Sequence, residues 1–401
     1  MQKSSVQVIT HGLAAGYISC IYFLSLVAGL PFFVTVALAL ATVFFLYRFT
    51  RKNITTAQPE NNSRKTTIVF VAVLSLLIAS SLVLMPAQGD WDASGIWNFH
   101  ARYLDRPQQW RQLFHNGKFS HTDYPALLPS CIAFLWRLTG RETELVPFGI
   151  AAITTLLIPA LIFFETARKH VVVAGAAMAS FAVNTIYLHQ GLSQYADTLL
   201  GLFFLCAFVC MQQYRSHAQP ALILLCAGML GCAMWTKNEG IMLAAVFGLF
   251  YARTFLKHFE YALAGILPFA VTLLIYKSYA PANDLVQGQH SSTASKLLDI
   301  TRYKLIFKYF LLQLNANFYV LKIATALYLI YCAVKKRMPA KPLLVLATCF
   351  AGYVMVYLLT PNDLAWHLST SADRLVQQLL PAAIYVLALE ASAALAKGRQ
   401  Q

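Results

Sequence analysis

Charged residues are scarce in this sequence. Asp, Glu, Lys and Arg together make up 12% of the 401 positions, whereas hydrophobic residues make up 58% and the mean hydropathy is +0.58. A soluble domain carries about twice that share of charge, so an ordinary soluble protein is excluded. Apolar runs of about 17–22 residues recur along the chain, and as helices they would span the hydrocarbon core of a bilayer. The sequence therefore predicts a polytopic all-α membrane protein.

The sequence also lacks the motifs of several soluble enzyme classes. It contains no Walker loop, no Rossmann glycine pattern, no serine-hydrolase elbow and no HExxH pair. Most of its eight cysteines lie inside apolar runs, and none forms a CxxC or Cys/His ligand pattern in a loop. We interpret the cysteines as small buried apolar residues.

Acidic residues are about half as common as basic ones, 16 against 31, which gives a formal net charge of +15. The excess does not indicate a nucleic-acid partner, because the basic residues fall mostly in short clusters between apolar runs, where they act as topology signals. We place in the cytoplasm the clusters at residues 48–52, 64–65, 168–169, 215, 253–257, 335–337 and 397–399.

This orientation predicts about twelve crossings with both termini inside. Residues 1–66 would form a transmembrane hairpin and a cytoplasmic linker (58–63), and residues 67–396 a membrane domain with an external loop at 87–144. Mixed apolar and basic residues at 97–114 and 295–314 predict interfacial helices, and residues 125–138 a short re-entrant or interfacial helix. The predicted spans are 8–28, 31–48, 67–86, 145–165, 171–189, 198–214, 220–235, 241–256, 260–279, 318–334, 342–359 and 376–396.

Five polar clusters then fall on the non-cytoplasmic side, where they could converge on one cavity. They are Asp90 with Asp92, and residues 121–125, 190–197, 236–240 and 360–374. Carboxylates this close to a membrane span are costly unless they meet water, a cation or a substrate. We therefore expect a functional site there, although a loop that is merely solvated is the alternative.

The acids of the external loop allow more than one role. Asp90 and Asp92 could bind a divalent metal or act as a general base toward a hydroxyl, while Asp92 could instead cap the following helix. Asp123 and His121 precede a helix that begins with Pro125, and Asp123 could act on a substrate or simply cap that helix.

Residues of the later clusters also have two interpretations each. Asp197 could cap the span that follows it, which is the leading interpretation, or hydrogen-bond a substrate. Lys237 and Glu239 could pair with each other, but an external lysine is better explained if it meets an anion such as a phosphate.

Arg374 enters the last predicted span without basic neighbours. Its guanidinium could pair with Asp363 or Asp373, yet its fork of donors also suits a lipid phosphate, which we favour. His367, beside Trp366, could line the cavity or anchor the interface.

Taken in order, these elements resemble the GT-C glycosyltransferases, most nearly the family 39 branch of protein mannosyltransferases and aminoarabinose transferases. The resemblance covers about residues 67–381 and rests on an early acid in the first external loop, the pair Ala101-Arg102, and the segment from His121 to Pro125. The loop reads Asp-Trp-Asp instead of the family's Asp-Glu, its spacing to Ala101 departs by about one residue, and Thr-Asp-Tyr-Pro replaces the family's His-Pro-Pro.

The resemblance implies a GT-C-like catalytic domain that transfers a sugar from a polyprenyl-phosphate donor to a lipid, glycan or protein acceptor. Asp92, or Asp90 in its place, would be the catalytic acid/base, with Asp123 as a further candidate. The resemblance matches Arg374 to the family's late arginine that holds the donor phosphate, and it includes His121 and Arg102. From the polar clusters themselves we add Lys237 as a phosphate-binding residue and Glu239, His367 and Asp197 as further candidates for substrate binding. No cofactor is required, although Asp90 and Asp92 could hold a divalent metal.

The implied location is the cytoplasmic (inner) membrane, with the site on the external or periplasmic side and membrane lipids as partners. Two other classes stay open. A transporter or flippase for a lipid-linked or anionic solute would carry polar residues at mid-span along a whole pathway. A non-catalytic membrane scaffold would need neither Asp92 nor Arg374.

Overall fold

The structure is a computed structural model that describes residues 3–55, 64–84, 89–115, 119–283 and 293–398. Within these ranges every regular element is helical and no β-strand occurs, which confirms the all-α prediction. The predicted linker at 58–63 lies outside the described residues.

The helices follow one another with short connections. In chain order they are α1 (Lys3–Ala28), α2 (Phe32–Asn53), α3 (Arg64–Val83), α4 (Asn98–Leu104), α5 (Leu127–Thr139), α6 (Leu145–Thr166), α7 (Val171–Ala182), α8 (Thr185–Leu192), α9 (Ala196–His217), α10 (Ala221–Thr236), α11 (Asn238–Phe250), α12 (Ala252–Lys257), α13 (Phe259–Tyr279), α14 (Thr293–Leu298), α15 (Ile300–Ala316), α16 (Tyr319–Val334), α17 (Lys341–Leu359) and α18 (Leu364–Gly398). A π-helical stretch, Ala93–Trp97, runs directly into α4, and a 3-10 turn covers Trp110–Phe114.

Many of these helices are long and apolar enough to cross a membrane. In the described part of the chain eight qualify, or ten if the bent pairs α7–α8 (65°) and α15–α16 (101°) each count as one span. Outward-facing side chains of α2 and α3 are apolar and widely exposed, for example Phe33 at 74% and Val83 at 84%. Exposed apolar faces of this size fit contact with lipid. The chain is a multi-pass membrane protein.

Several predicted boundaries were wrong. The segment 97–114 is not one helix, because α4 ends before Pro107 and only the 3-10 turn follows. The predicted span 241–256 is divided at Tyr251 into α11 and α12. The last helix begins at Leu364 instead of 376, because the Asp363 carboxylate accepts a hydrogen bond from the Trp366 amide (2.8 Å) and caps its first turn.

The centre of the bundle is formed by α9 and α10, which are buried along most of their length. α10 packs against α9 and α13, and α18 packs against α9. α1 belongs to the same core, since Ser19 Oγ donates to the Leu127 carbonyl (3.1 Å) and accepts from Trp235 Nε1 (2.8 Å). Residues of α1 and α2 therefore share one hydrophobic core with the later helices.

Candidate functional site

A fully buried carboxylate, Asp197, lies in the first turn of α9. It accepts hydrogen bonds from Lys237 Nζ (2.8 Å), Gln378 Nε2 (2.6 Å) and Arg374 Nε (3.4 Å). The N-cap of α9 is Tyr195, without a side-chain capping bond, so the prediction that Asp197 caps this helix was wrong. Asp197 instead neutralises two cations that come from the α10–α11 junction and from α18.

Arg374 bridges two carboxylates, Asp92 and Asp197, that lie far apart in the sequence. Its Nη2 donates to Asp92 Oδ2, just before the π-helical stretch Ala93–Trp97, and its Nε faces Asp197. The guanidinium carbon lies 5.0 Å from the centroid of the Tyr195 ring, a cation–π distance. Burial, followed by the charges of Asp92 and Asp90, raises the pKa of Tyr195, so its hydroxyl stays neutral beside the ion pairs.

The alternative partners predicted for Arg374 are used elsewhere. The Asp373 carboxylate accepts a hydrogen bond from Gln190 Nε2 (2.6 Å), while Asp363 caps α18. Among the described residues neither forms an ion pair with Arg374. Those two pairings were wrong, and Arg374 is held by Asp92 and Asp197.

Asp92 is buried, whereas Asp90 is exposed and its carboxylate accepts from the Trp91 amide (2.7 Å). Asp92 makes no capping hydrogen bond, so its predicted role as a cap was wrong. The loop is held on the α8–α9 connection: Asp90 N donates to the Ser193 carbonyl (3.3 Å). A metal at Asp92 would have to displace Arg374, and the described residues contain no group of three or more His, Cys, Asp or Glu side chains that could hold one.

Lys237 occupies a break between two apolar helices. Its backbone is extended (φ −151°, ψ 159°), and its side chain is 2% exposed. Besides Asp197, it contacts Glu239 Oε1 at 3.3 Å, the pairing predicted as one alternative. Burial opposes the charge of Lys237, but Asp197 and Glu239 outweigh burial and raise its pKa, so Lys237 stays protonated.

An aromatic stack covers this cation. Tyr124 stacks against His121 (4.7 Å between ring centroids) on one side and Trp97 (5.8 Å) on the other, and Lys237 Nζ lies 5.4 Å from the Tyr124 ring. His121 adopts a left-handed backbone conformation (φ 56°), which is rare outside glycine and is often found at functional sites. The predicted residues 121–125 thus lie beside the ion pairs.

Asp123 serves as an anchor for two amides instead of a helix cap. Its Oδ2 accepts from Asn238 Nδ2 (2.7 Å) and from Asn283 Nδ2 (2.8 Å). α5 begins at Leu127 with Ala126 as its N-cap and without a side-chain capping bond, so the predicted cap by Asp123 was wrong.

Two further predicted residues, Arg102 and His367, also lie outside the ion-pair network. Arg102 is half-exposed and pairs with Glu142 (3.0 Å) in the connection between α5 and α6. His367 Nδ1 hydrogen-bonds Thr360 Oγ1 (2.9 Å). A substrate role for Arg102 has no support from its position.

Sequence reasoning missed one cation, Lys277 at the end of α13. Its Nζ donates to the backbone carbonyl of Asp123 (2.5 Å) and to Asn238 Oδ1 (2.7 Å). Lys277 falls inside the predicted span 260–279, and its only signal is that it lies two residues before the end of that span.

A narrow groove lined mostly by apolar side chains lies next to the ion pairs of Arg374. It lies between α5, α6 and the start of α9, and its interior has room for about one water molecule. Gln194 and Tyr195 line it, so it borders the residue beneath Arg374.

No family model matches this chain, and no curated protein and no solved structure shows significant similarity to it.

Proposed function

We propose that the protein is a GT-C-like glycosyltransferase that moves a sugar from a polyprenyl-phosphate donor to an acceptor hydroxyl. The observation that supports this proposal most is the contact between Asp92 and Arg374, because it places a buried candidate base beside a candidate phosphate-binding cation. Carboxylate and guanidinium come from residues 282 positions apart, and Lys237 joins them through Asp197.

The proposed reaction is a displacement at the anomeric carbon. The acceptor oxygen attacks that carbon and passes its proton to Asp92, while the bond between the carbon and the phosphate oxygen breaks. The phosphate leaves with the electron pair, and Arg374 would stabilise its growing negative charge. Such an in-line attack inverts the anomeric configuration.

In this proposal the donor changes the partner of Arg374. In the structure Nη2 of the Arg374 guanidinium donates to Asp92, so a phosphate that binds there would have to replace the Asp92 carboxylate. Asp92 would then be released to accept a proton at the moment when the donor is in place. Asp197 cannot touch a substrate while it is fully buried, and we assign it to positioning Arg374 and Lys237.

The membrane arrangement completes the proposal. We infer about twelve crossings, interfacial helices in the first external loop, and a site at the external face of the cytoplasmic membrane. The apolar groove that borders Tyr195 marks where the first isoprene units of the donor would enter once its walls move apart, and the donor then need not leave the bilayer.

Replacing one carboxylate tests the proposal. Asp92→Asn should lower transfer from a polyprenyl-phosphate sugar by about 10²–10⁴-fold, the usual share of a general base. Asp90→Asn is the matched control, since Asp90 is exposed and outside the ion pairs, and it should keep nearly full activity. Both variants and a deletion strain would be compared by glycolipid and glycoprotein profile. Full activity of a folded Asp92→Asn protein would reject the assigned role.

A transporter or flippase is the second candidate, because the structure contains two features typical of that class. A charged residue, Lys237, interrupts two apolar helices, as in discontinuous transporter helices. In addition, Glu165 of α6 is buried and accepts a hydrogen bond from Gln213, so a second polar spot exists within the bundle. Flux of a fluorescent polyprenyl phosphate across proteoliposomes, without any sugar transfer, would favour this class.

A further inference from the structure

Lys277 differs from the two other cations of the site in its partners. Its Nζ has two neutral acceptors, the Asp123 carbonyl and Asn238 Oδ1, and no carboxylate oxygen of the described residues lies within 4.0 Å of it. The side chain is only partly buried. The Asp123 carboxylate acts on the positive charge of Lys277 only from farther away, because the Asn238 amide lies between the two groups and hydrogen-bonds both.

Unlike Lys277, the cations Arg374 and Lys237 already have carboxylates as direct partners. Their network contains three carboxylates, Asp92, Asp197 and Glu239, for these two cations. An incoming anion would first meet a net negative cluster at that point. Lys277 has no carboxylate in direct contact and only Asp123 acts on it from farther away, so it is the cation of the site that attracts an anion most directly.

The position of Lys277 is fixed by the same loop that carries the aromatic stack. Tyr276, its neighbour on α13, donates a hydrogen bond from its hydroxyl to the Thr122 carbonyl (2.9 Å). Asn238, which accepts from Lys277, directly follows Lys237 in the chain. Lys277 thus stands next to the ion-pair network, separated from it by the segment Asp123-Tyr124.

We propose that Lys277 forms a second anion subsite, which binds the phosphate group of a lipid or sugar ligand. The inference rests on the proposed function, because it takes the ligand to be a phosphate-bearing substrate of the same site. The phosphate could belong to the polyprenyl donor or to a phosphorylated acceptor. The amide of Asn238 and the remaining hydrogen of the Lys277 ammonium provide the polar contacts, and Lys277 sets the preference for charge.

Binding measurements in nanodiscs test this subsite. One arm compares polyprenyl phosphate with polyprenol, and a second arm compares a sugar 6-phosphate, whose phosphate is not on the anomeric carbon, with the free sugar. For the wild-type protein we expect a preference for the phosphorylated probe in at least one arm. Lys277→Gln should weaken that probe about 10-fold or more, the size of one charge-assisted hydrogen bond, and Lys277→Arg should restore part of it. If Lys277→Gln loses the preference for phosphate in the first arm, the subsite binds the phosphate of the donor. If it loses the preference in the second arm, the subsite binds the phosphate of the acceptor.

Lys322→Gln is the matched control, because Lys322 also donates to an asparagine side chain, Asn315 (2.6 Å), but lies outside the cluster. If Lys277→Gln changes the melting temperature and leaves both preferences intact, Lys277 only ties α13 to the loop and the subsite is refuted, while the proposed donor class stands. If the wild-type protein itself shows no preference for phosphate, both the subsite and the proposed donor class fail.

Discussion

Asp197 holds two cations inside the bundle, and its replacement should be costly. In Asp197→Asn the side chain keeps its shape but loses its charge, so Lys237, which is 2% exposed, retains only the partly exposed Glu239 as an anionic partner. Arg374 keeps Asp92. The perturbation therefore leaves a buried ammonium poorly compensated.

The expected size follows from this burial. Removing one partner of a buried ion pair destabilises a protein by about 3–5 kcal/mol, because the remaining charge stays desolvated. With an unfolding entropy near ~2 cal/mol/K per residue, a loss of about 4 kcal/mol in a chain of 401 residues lowers the melting temperature by about 5 °C.

The assay is thermal unfolding of purified protein in one detergent, arranged as a double-mutant cycle. Lys237→Met alone leaves Asp197 paired with Arg374, and the double variant Asp197→Asn with Lys237→Met removes both charges at once. The free energy of unfolding lost in the double variant should therefore be smaller than the sum of the losses in the two single variants. The difference, the coupling free energy, should be about 2 kcal/mol or more.

Glu144→Gln serves as the control, because Glu144 is exposed and forms no ion pair among the described residues. It should shift the melting temperature by less than about 1 °C. An Asp197→Asn protein that melts like the wild type, or single losses that simply add, would contradict the view that Asp197 is the buried counter-ion of this site.

Two further perturbations follow from local geometry. Gly240→Ala should destabilise the protein by about 1–3 kcal/mol, measured by thermal unfolding, because a Cβ at this position would lie 1.9 Å from the Ala233 carbonyl oxygen and force the α10–α11 break apart. Burial lowers the pKa of His100 from 6.5 to about 4, although the Ser120 carbonyl opposes this shift. The unfolded loop therefore binds a proton more readily between pH 6.5 and 4, and loop stability should fall as the pH drops, by about 2 kcal/mol at pH 5.

Each of these predictions has a matched control. Gly248→Ala lies in the same helix, α11, with no atom within 4 Å of the added Cβ, and it should be neutral or slightly stabilising. For His100, hydrogen-exchange protection of residues 93–104 would be followed from pH 7 to pH 5. The loss of protection should disappear in His100→Phe, and protection that stays constant in the wild type would show that this imidazole does not govern the loop.

The sequence predicted the helical class and most long spans because both follow from hydrophobic length. Boundaries failed where a single side chain decided them, as at Asp363, whose carboxylate begins the last helix twelve residues earlier than the apolar run suggested.

Charge patterning predicted that Asp92, Asp197, Lys237 and Arg374 lie on one face of the membrane and could converge, and in the structure these side chains do meet. Their partners could not be predicted. Which carboxylate meets which cation depends on packing between α9, α18 and the loop that carries Asp92, and no local pattern carries that information. Lys277 was overlooked for the same reason, since its role depends on α13 ending against residues 122–123.

The π-helical turn Ala93–Trp97 has a consequence for how this loop can vary. Its defining bond runs from the Asn98 amide to the Ala93 carbonyl, five residues back, so the turn accommodates one residue more than an α-turn does. Deleting one residue between Asp92 and Ala101 would therefore convert the π-helical turn into an α-helical turn. We expect the acid to face the Arg374 guanidinium in both cases. The number of residues between a loop carboxylate and Ala101 therefore does not identify the carboxylate that meets Arg374. The direction in which the turn points that carboxylate does identify it.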